Sequence, residues 1–522
     1  YIYIIFLYIK NILRNNIRYI FWKIFTTNEL KNMLDNVDND PIQPKWREPE
    51  HEPEIEDPLG RVSRSLKNEF RGYKNRLMFW KDGKTRENTD VEWGTEDRVF
   101  PEHVDVLIIG GGAMGSSIAY WLKQRADDGL RIVVVEKDPT YSKSSTALST
   151  GGLRQQFSLE ENIEMSLFGA DFLRNVEEHL EVPGQPPVNV QFHPHGYLFL
   201  ASEASAEQLQ ANSKLQNKLG AKNIMLTATQ LKNRFPWLNT DGIAVGCLGL
   251  EKEGWFDPWA LLWGFKRKAL SMGVDYVKGE MVGFTWVNQS NVMIGDTEMS
   301  DRRGLRGAVI ITPDGEKRYI RFAIVVVAAG AHSAEIAKMA NIGTGPGVFT
   351  VPLPVEPRKR YAFCFHSPDG PGLNTPLTID PSGTYFRREG LGGLYIAGRS
   401  PTLEEEPSCD NLDVDDGFFD RHVWPAIAHR VKSFENLKVK SSWAGFYEYN
   451  TFDANGIIGT HPELNNLYFA TGFSGHGIQQ APAVGRAITE LIIDSNFITI
   501  DLTRLGFDRF ITLEPMKEIN IV

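Results

Sequence analysis

Three glycines stand in the spacing Gly-x-Gly-x-x-Gly, at Gly110, Gly112 and Gly115. The first permits a tight turn, the second lets the backbone approach a phosphate, and the third lets a helix pack closely on a strand. An apolar, β-branched run at 104–109 precedes them, and a segment with helical spacing follows from Ser116. Because a helix start offers free N–H groups and a partial positive charge, this pattern predicts a site for a dinucleotide pyrophosphate.

A second apolar run, 131–135, ends at Glu136, which lies 21 residues after Gly115. An acid at this place can accept hydrogen bonds from an adenosine ribose, and it would repel the additional phosphate of NADP. The two strands, the helix and the acid together make the prediction far more specific than the glycines alone. They do not distinguish FAD from NAD.

Three later segments favour FAD. Residues 144–154 are a loop of small hydroxyl residues and glycines directly after the second strand, where an NAD enzyme would normally continue with a crossover helix. Residues 324–330 indicate a further buried strand that ends in small residues, and 467–493 indicate a strand, a glycine turn and an apolar helix. The last turn would bring a second helix start to the cofactor.

These segments and five motifs, the last of which is the glycine turn already described, resemble the D-amino-acid-oxidase superfamily of FAD enzymes, on its sarcosine-oxidase side. The five motifs are Glu253–Pro258, Val355–Tyr361, Tyr385–Gly390, Tyr449–Asp453 and Gly472–Gly477. The resemblance implies an α/β fold, mixed α+β, in which a Rossmann-like FAD-binding domain is interleaved with a mostly antiparallel-sheet substrate domain. It also implies non-covalent FAD, because covalent members use a Cys near the place of Phe446, and Cys247, Cys364 and Cys409 lie elsewhere.

The resemblance also assigns residues to FAD, from its pyrophosphate and ribose to the pyrimidine edge of the flavin. This set is Gly110, Gly112, Met114, Gly115, Glu136, Lys137, Ser145, Thr146, Gly151, Gly152, Val282, Ala329, Gly330, Gly472, Gly475, His476, Gly477 and Ile478.

The family reaction moves a hydride from a carbon beside an amine nitrogen to the flavin, and a cation holds the substrate carboxylate. Arg154 matches that cation, His476 lies in the last glycine turn, and Gln479 stands where sarcosine-type oxidases place a Lys. We expect these three to be the catalytic residues. Because Gln479 is uncharged, we expect it to hold the substrate carboxylate more weakly than a Lys would. The candidate replacements are Arg358, Arg360 and Arg387. The strand 394–397, where oxidases carry a Lys, has none, so we expect a dehydrogenase or slow oxidase.

Two functions remain open. The members that the chain most resembles act in the assembly of mitochondrial respiratory complex I. The resemblance therefore implies a mitochondrial protein, in the matrix or on the matrix side of the inner membrane, with complex I subunits or assembly intermediates as partners. The alternative is an active dehydrogenase or oxidase of secondary amines or N-methyl amino acids, with a small amine as its substrate.

Composition excludes other classes. Lys and Arg total 56 and Asp and Glu total 66, a net charge of −10, which argues against a general nucleic-acid binder. No run approaches the roughly 18–20 apolar residues of a membrane span, so a polytopic membrane protein is excluded while peripheral contact with the inner membrane remains open. No set of residues has metal-ligand spacing, and Glu404–Glu406 is expected to be a solvated loop.

The predicted domain organisation begins with a mitochondrial presequence or an artefactual extension at 1–33, a surface membrane helix being a third interpretation. An acidic, Pro-rich linker at 34–60 and a helical arm at 61–100 follow. The FAD-binding domain is assigned 101–190, 257–282, 321–350 and 451–500. The substrate domain is assigned 191–256, 283–320 and 351–450, and the C-terminal tail 501–522.

Overall fold

A computed structural model describes residues 100–289, 292–294, 297–299 and 302–520, all within one compact unit, Met78–Val522. The predicted extension, the linker and the arm up to residue 99 lie outside the described residues.

Twenty strands form the framework of the described chain. They are β1 (His103–Ile109), β2 (Ile132–Glu136), β3 (Gly152–Leu153), β4 (Tyr197–Ala201), β5 (Asn223–Thr227), β6 (Val245–Gly249), β7 (Gly254–Trp255), β8 (Asp275–Lys278), β9 (Glu280–Gln289), β10 (Val292–Ile294), β11 (Thr297–Met299), β12 (Arg302–Ile311), β13 (Lys317–Val327), β14 (Val355–His366), β15 (Leu377–Ile379), β16 (Tyr385–Glu389), β17 (Leu394–Gly398), β18 (Lys438–Asn450), β19 (Ile457–His461) and β20 (Leu464–Thr471).

Eleven α-helices accompany these strands in the described residues, and the last two follow the final strand. They are α1 (Ala113–Ala126), α2 (Glu160–Arg174), α3 (Val176–Leu180), α4 (Glu203–Lys218), α5 (Ala228–Arg234), α6 (Pro258–Ser271), α7 (Ser333–Met339), α8 (Asp416–Phe418), α9 (Trp424–Arg430), α10 (Gly477–Asp494) and α11 (Asp508–Thr512).

The first sheet is Rossmann-like, with strand order β19-β20-β13-β1-β2-β8. The pairs from β20 to β8 are parallel, and β19 joins antiparallel at one edge. Apolar residues cover both faces of β1, which explains its nearly unbroken run of Val and Ile. On one face Val106 and Ile108 pack with residues of α1 and α10, and on the other Leu107 and Ile109 pack with residues of α7.

The second sheet has the order β18-β14-β17-β16-β15-β4-β6-β5. All its pairs are antiparallel except β4 with β15. These two sheets confirm the predicted fold class, because a parallel, helix-covered sheet and a mostly antiparallel sheet are woven from alternating stretches of one chain.

One of the predicted domain assignments is wrong. Residues 283–320 are predicted to lie in the substrate domain, but β12 pairs with both β13 and β9, and these strands extend the first sheet. The physical reason is the short turn at 312–316, which folds β12 back onto β13 as an antiparallel hairpin. Strand periodicity alone does not specify which sheet a strand joins.

Candidate active site

The turn between β1 and α1 requires glycine at two places. Gly110 has a φ of +101°, and a Cβ atom there would lie 2.3 Å from the carbonyl oxygen of Ala328 on the neighbouring strand connection. At Gly115, a Cβ atom would lie 1.9 Å from the carbonyl oxygen of Gly110. The turn and the first turn of α1 therefore pack as tightly as a pyrophosphate cradle demands.

The loop 144–146 closes over the start of α1. The N–H of Ala113 donates to the Thr146 hydroxyl at 3.2 Å, and a Cβ atom on Gly112 would lie 3.3 Å from that same oxygen. Ser144 Oγ lies 3.9 Å from the same Cβ position. The structure thus brings the predicted Thr146 to the predicted phosphate-binding helix start.

Glu136 ties the end of β2 to this turn. Its carboxylate accepts hydrogen bonds from the N–H groups of Gly111 and Asp138, both at 2.8 Å, and burial raises its pKa. By contrast, the Lys137 side chain is exposed and pairs with Glu280 at 2.6 Å. Val282 is half-buried on β9, away from the residues that line the main cavity.

That main cavity lies between the two sheets and has an empty volume of about 1430 Å³, counted with its open mouth. The predicted residues that line it are Met114, Ser145, Thr146, Gly152, Arg154, Gly475, His476, Gly477, Ile478 and Gln479. The predicted residues outside its lining are Gly110, Gly112, Gly115, Glu136, Lys137, Gly151, Val282, Ala329, Gly330 and Gly472. Segments more than 300 residues apart in the chain therefore form one wall.

The turn from β20 to α10 presents a second helix start to the cavity. Gly475 has a φ of +95°, and a Cβ atom there would lie 2.2 Å from the ring of Tyr447. Helix α10 begins at Gly477 and has no side-chain cap, so its first N–H groups are free to meet a ligand. The contact of this turn with the flavin edge stays a prediction.

His476 precedes α10 and is 4% exposed. Burial lowers its pKa to about 3, so the ring is neutral. Its Nε2 atom is buried and has no hydrogen-bond partner among the described residues. A buried polar atom of this kind in a cavity wall is suited to a hydrogen bond with a bound ligand.

Arg154 is 6% exposed and reaches the cavity from the loop after β3. Its guanidinium donates to the carbonyl oxygens of Gln156 and Asn520, both at 2.5 Å, and lies 4.1 Å from the centre of the Phe157 ring. Its backbone N–H donates to Gln479 Oε1 at 2.7 Å. Gln479 therefore positions the Arg154 backbone as well as lining the cavity.

The three candidate replacements, Arg358, Arg360 and Arg387, are all engaged with carboxylates. Arg360 lines the cavity, but both its terminal nitrogens lie 2.9 Å from the carboxylate of Glu406. Arg358 lies 3.6 Å from the same carboxylate, and Arg387 pairs with Glu389 at 2.5 Å. Glu406 is only half-buried, yet it is engaged in ion pairs, so the expectation of a freely solvated acidic loop is wrong at this residue.

Two charged residues that line the cavity, Arg399 and Glu448, are not among the residues predicted from the sequence. Arg399, just after β17, lies 4.0 Å from Glu405. Glu448, in β18, accepts hydrogen bonds from the Thr471 hydroxyl at 3.2 Å and the Gly472 N–H at 3.3 Å. Burial raises the pKa of Glu448 to about 7. The only sequence signal was an acid within an aromatic strand segment, Phe446–Tyr449.

A glycine-cradled helix start on a parallel sheet, facing an antiparallel sheet across one cavity, is the architecture of a flavoprotein oxidoreductase. The chain belongs to the DAO family of FAD-dependent oxidoreductases, whose model matches residues 105–491.

The relatives agree with this assignment. The chain is 53% identical over 426 residues to FAD-dependent oxidoreductase domain-containing protein 1 of Xenopus laevis, covering 81% of this chain and 85% of that protein. It is 53% identical over 431 residues to the Drosophila melanogaster homolog, covering 81% and 82%. L-proline dehydrogenase from P. horikoshii has the same fold, with a TM-score of 0.64, 27% identity and coverage of 80% of this chain and 100% of that chain.

The site fits FAD, the cofactor of this family and of its structural neighbours. Two helix starts, a glycine cradle and the unpartnered Nε2 of His476 meet the needs of a pyrophosphate and a flavin ring. The three cysteines all lie outside the cavity lining, which supports non-covalent binding. Across the described ranges, no group of three His, Cys, Asp or Glu could hold a metal, and no helix is long and apolar enough to span a bilayer.

Proposed function

We propose that the chain is an FAD-dependent dehydrogenase of a secondary amine that carries a carboxylate, such as an N-methyl amino acid. The observation that carries the proposal is the cavity itself, which joins the start of α1 to a buried guanidinium, a neutral imidazole and a partly buried carboxyl. Bound FAD supplies the hydride acceptor, and the residues of the chain bind and orient the substrate beside it.

Arg154 is the proposed anchor of the substrate carboxylate. Its guanidinium is stacked on Phe157 and its backbone is held by Gln479, so its position is fixed before a ligand arrives. A charge-assisted hydrogen bond in a buried cavity is stronger than one in water. Arg360 is less suited to the task, because Glu406 already neutralises it.

Two further observations support this proposal. The structurally similar dehydrogenase from P. horikoshii is named for L-proline, which is a secondary amine with a carboxylate. In addition, no Lys is among the described residues that line the cavity, as expected for a dehydrogenase rather than an efficient oxidase.

The proposal is tested by anaerobic visible spectra of the FAD-loaded protein, recorded with L-proline, sarcosine and other N-methyl amino acids. We expect at least one of them to bleach the flavin absorbance. An Arg154→Met variant should keep FAD but need about 10- to 100-fold more amine for half-reduction, since a hydrogen bond to a charged group contributes about 1.5–3 kcal/mol.

Arg421→Met is the matched control, because Arg421 is exposed and pairs with Asp415 at the surface. It should behave as the wild type. A wild-type spectrum that dithionite bleaches but no amine does would contradict the dehydrogenase assignment.

Assembly of mitochondrial respiratory complex I is the second candidate. It is supported by the motif resemblance and by the contrast between 53% identity to the Xenopus laevis protein and 27% to the proline dehydrogenase. In this role the protein would act on complex I subunits or intermediates in the mitochondrion, with FAD serving as structural support.

Expression of Arg154→Met in depleted cells discriminates between the two roles. Full recovery of complex I by this variant, whose reduction by amines is weakened, would indicate that efficient catalysis is dispensable for assembly. Failure of that variant, with recovery by the wild type and by Arg421→Met, would show that the assembly role needs the buried cation.

A further inference from the structure

Glu448 is the one acidic residue among those that line the cavity in the described part of the chain. No ion pair of the described residues includes it, whereas the cavity residue Arg360 is paired with Glu406. Its Oε2 atom accepts hydrogen bonds from Thr471 and Gly472, and the backbone N–H of Phe473 also donates to the carboxyl group. The turn at 471–473 therefore anchors the carboxyl group, which also lines the cavity.

The carboxyl lies between the two glycine segments assigned to the flavin. A Cβ atom on Gly330 would lie 3.7 Å from Oε2, and one on Gly477 would lie 3.3 Å from Oε1. Glycine at position 477 keeps a side chain away from the carboxyl, and Gly477 and Glu448 both line the cavity, whereas Gly330 lies outside its lining. A substrate amine bound in the cavity would thus come within reach of the carboxyl group.

The charged and titratable neighbours leave Glu448 without a counter-charge. On the packed elements these are Glu356, Arg358, Lys359 and Arg360 on β14, His476 before α10, and His332 with Glu335 near the start of α7. Arg358 also pairs with Glu356, and Lys359 donates to Asn411 and to the carbonyl oxygen of Asp413. Both arginines share Glu406, His476 is neutral, and His332 is exposed and lies 3.7 Å from Glu335. Burial alone therefore dominates and raises the pKa of Glu448 to about 7.

The hydrogen bonds around Glu448 can also accommodate the protonated form of its carboxyl group. The Thr471 hydroxyl can donate to Glu448, to Ser333 Oγ at 2.7 Å, or to the Gly330 carbonyl oxygen at 3.2 Å. When Glu448 becomes protonated, this hydroxyl can turn to another acceptor, so no buried group loses its partner.

We propose that Glu448 is the proton acceptor of the active site, taking one proton from the ammonium form of the bound substrate. One N–H bond of the substrate breaks and one O–H bond forms on Glu448. The electron pair of the broken bond stays on the substrate nitrogen, so neither group is oxidised or reduced. The positive and the negative charge disappear together in a poorly solvated cavity. The neutral amine then carries the lone pair that oxidation of the adjacent carbon requires. This inference rests on the proposed function.

The test uses the FAD-loaded protein and Glu448→Gln, which keeps the shape of the side chain. Without substrate, the visible spectrum of the wild type should show a transition near pH 7, because an ionising carboxyl beside the flavin changes its electrostatic surroundings. Glu448→Gln should lack this transition, and Glu435→Gln, at an exposed surface pair with Lys432, should retain it. A transition that Glu448→Gln leaves unchanged, or a wild type that shows none, would overturn the assignment.

The second measurement is the rate of anaerobic flavin reduction by the amine that bleaches the wild type. The wild-type rate should rise with pH through about pH 7, as Glu448 deprotonates, and then level off. At pH 7 the Gln variant should be at least about 100-fold slower, the usual contribution of a positioned base. Equal rates for the wild type and Glu448→Gln at every pH would refute the proton-acceptor role of Glu448 and leave the proposed function standing. A wild type that no amine reduces would refute both the proposed function and the proton-acceptor role.

Discussion

A Gly110→Ala variant is expected to lose FAD. The added methyl group would meet the Ala328 carbonyl oxygen at 2.3 Å, and the φ of +101° is unfavourable for any residue with a side chain. Strained backbone of this kind costs about 1–3 kcal/mol, and relief of the clash must move the pyrophosphate turn. We therefore expect at least about a 100-fold rise in the dissociation constant of FAD, measured by fluorescence titration of the apoprotein.

Gly129→Ala is the control for this substitution. Gly129 lies in the turn before β2, has no positive φ, and has no atom within 4 Å of its Cβ position among the described residues. It should bind FAD as the wild type does. Unchanged FAD affinity in Gly110→Ala would show that the turn is not the pyrophosphate cradle.

An Arg509→Met variant is expected to be the most destabilised of the substitutions considered. Arg509 is 4% exposed, and its Nε atom lies 2.7 Å from Asp453 Oδ2 in a fully buried ion pair. Its Nη2 group donates to the carbonyl oxygens of Asn455 at 3.2 Å and Gly456 at 2.9 Å, and its Nη1 group donates to those of Leu505 and Gly506. Removing one partner of a buried pair leaves the other charge uncompensated and costs about 3–5 kcal/mol.

Thermal unfolding and urea titration would measure this loss. Arg421→Met removes an arginine from an exposed pair and should change the free energy of unfolding by less than about 1 kcal/mol. The double variant Arg509→Met, Asp453→Leu should lose less than the sum of the single variants, because it removes both charges. A midpoint for Arg509→Met equal to that of the wild type would contradict a stabilising role for the pair.

The sequence was informative wherever a local pattern determined the structure. The run 104–109, the glycine spacing and the acid at 136 specify a strand, a turn and a second strand through steric and hydrophobic rules that act over short distances. The structure places β1, α1 and β2 accordingly. The antiparallel second sheet was implied by the family resemblance, and β14 is one of its strands.

Features that depend on distant contacts could not be predicted in the same way. The segment 283–320 was assigned to the wrong domain, since the sequence of β12 is compatible with either sheet. The pairing of Arg360 with Glu406 links a strand to a loop, and neither segment reveals the other. Glu448 acquires its character from burial under the turn at 471–477, which no feature of β18 itself specifies.

The order of strands in the first sheet has a consequence for biogenesis. β1 lies between β2, its near neighbour in sequence, and β13, which begins at Lys317, and β20 joins only beyond residue 464. Arg154 also donates a hydrogen bond to the carbonyl oxygen of Asn520, a residue that is synthesised 366 residues later. A nascent chain emerging from the ribosome therefore exposes apolar sheet faces for most of its synthesis, and it cannot enclose FAD until translation has passed these residues. Capture of the flavin would then be a late step of folding.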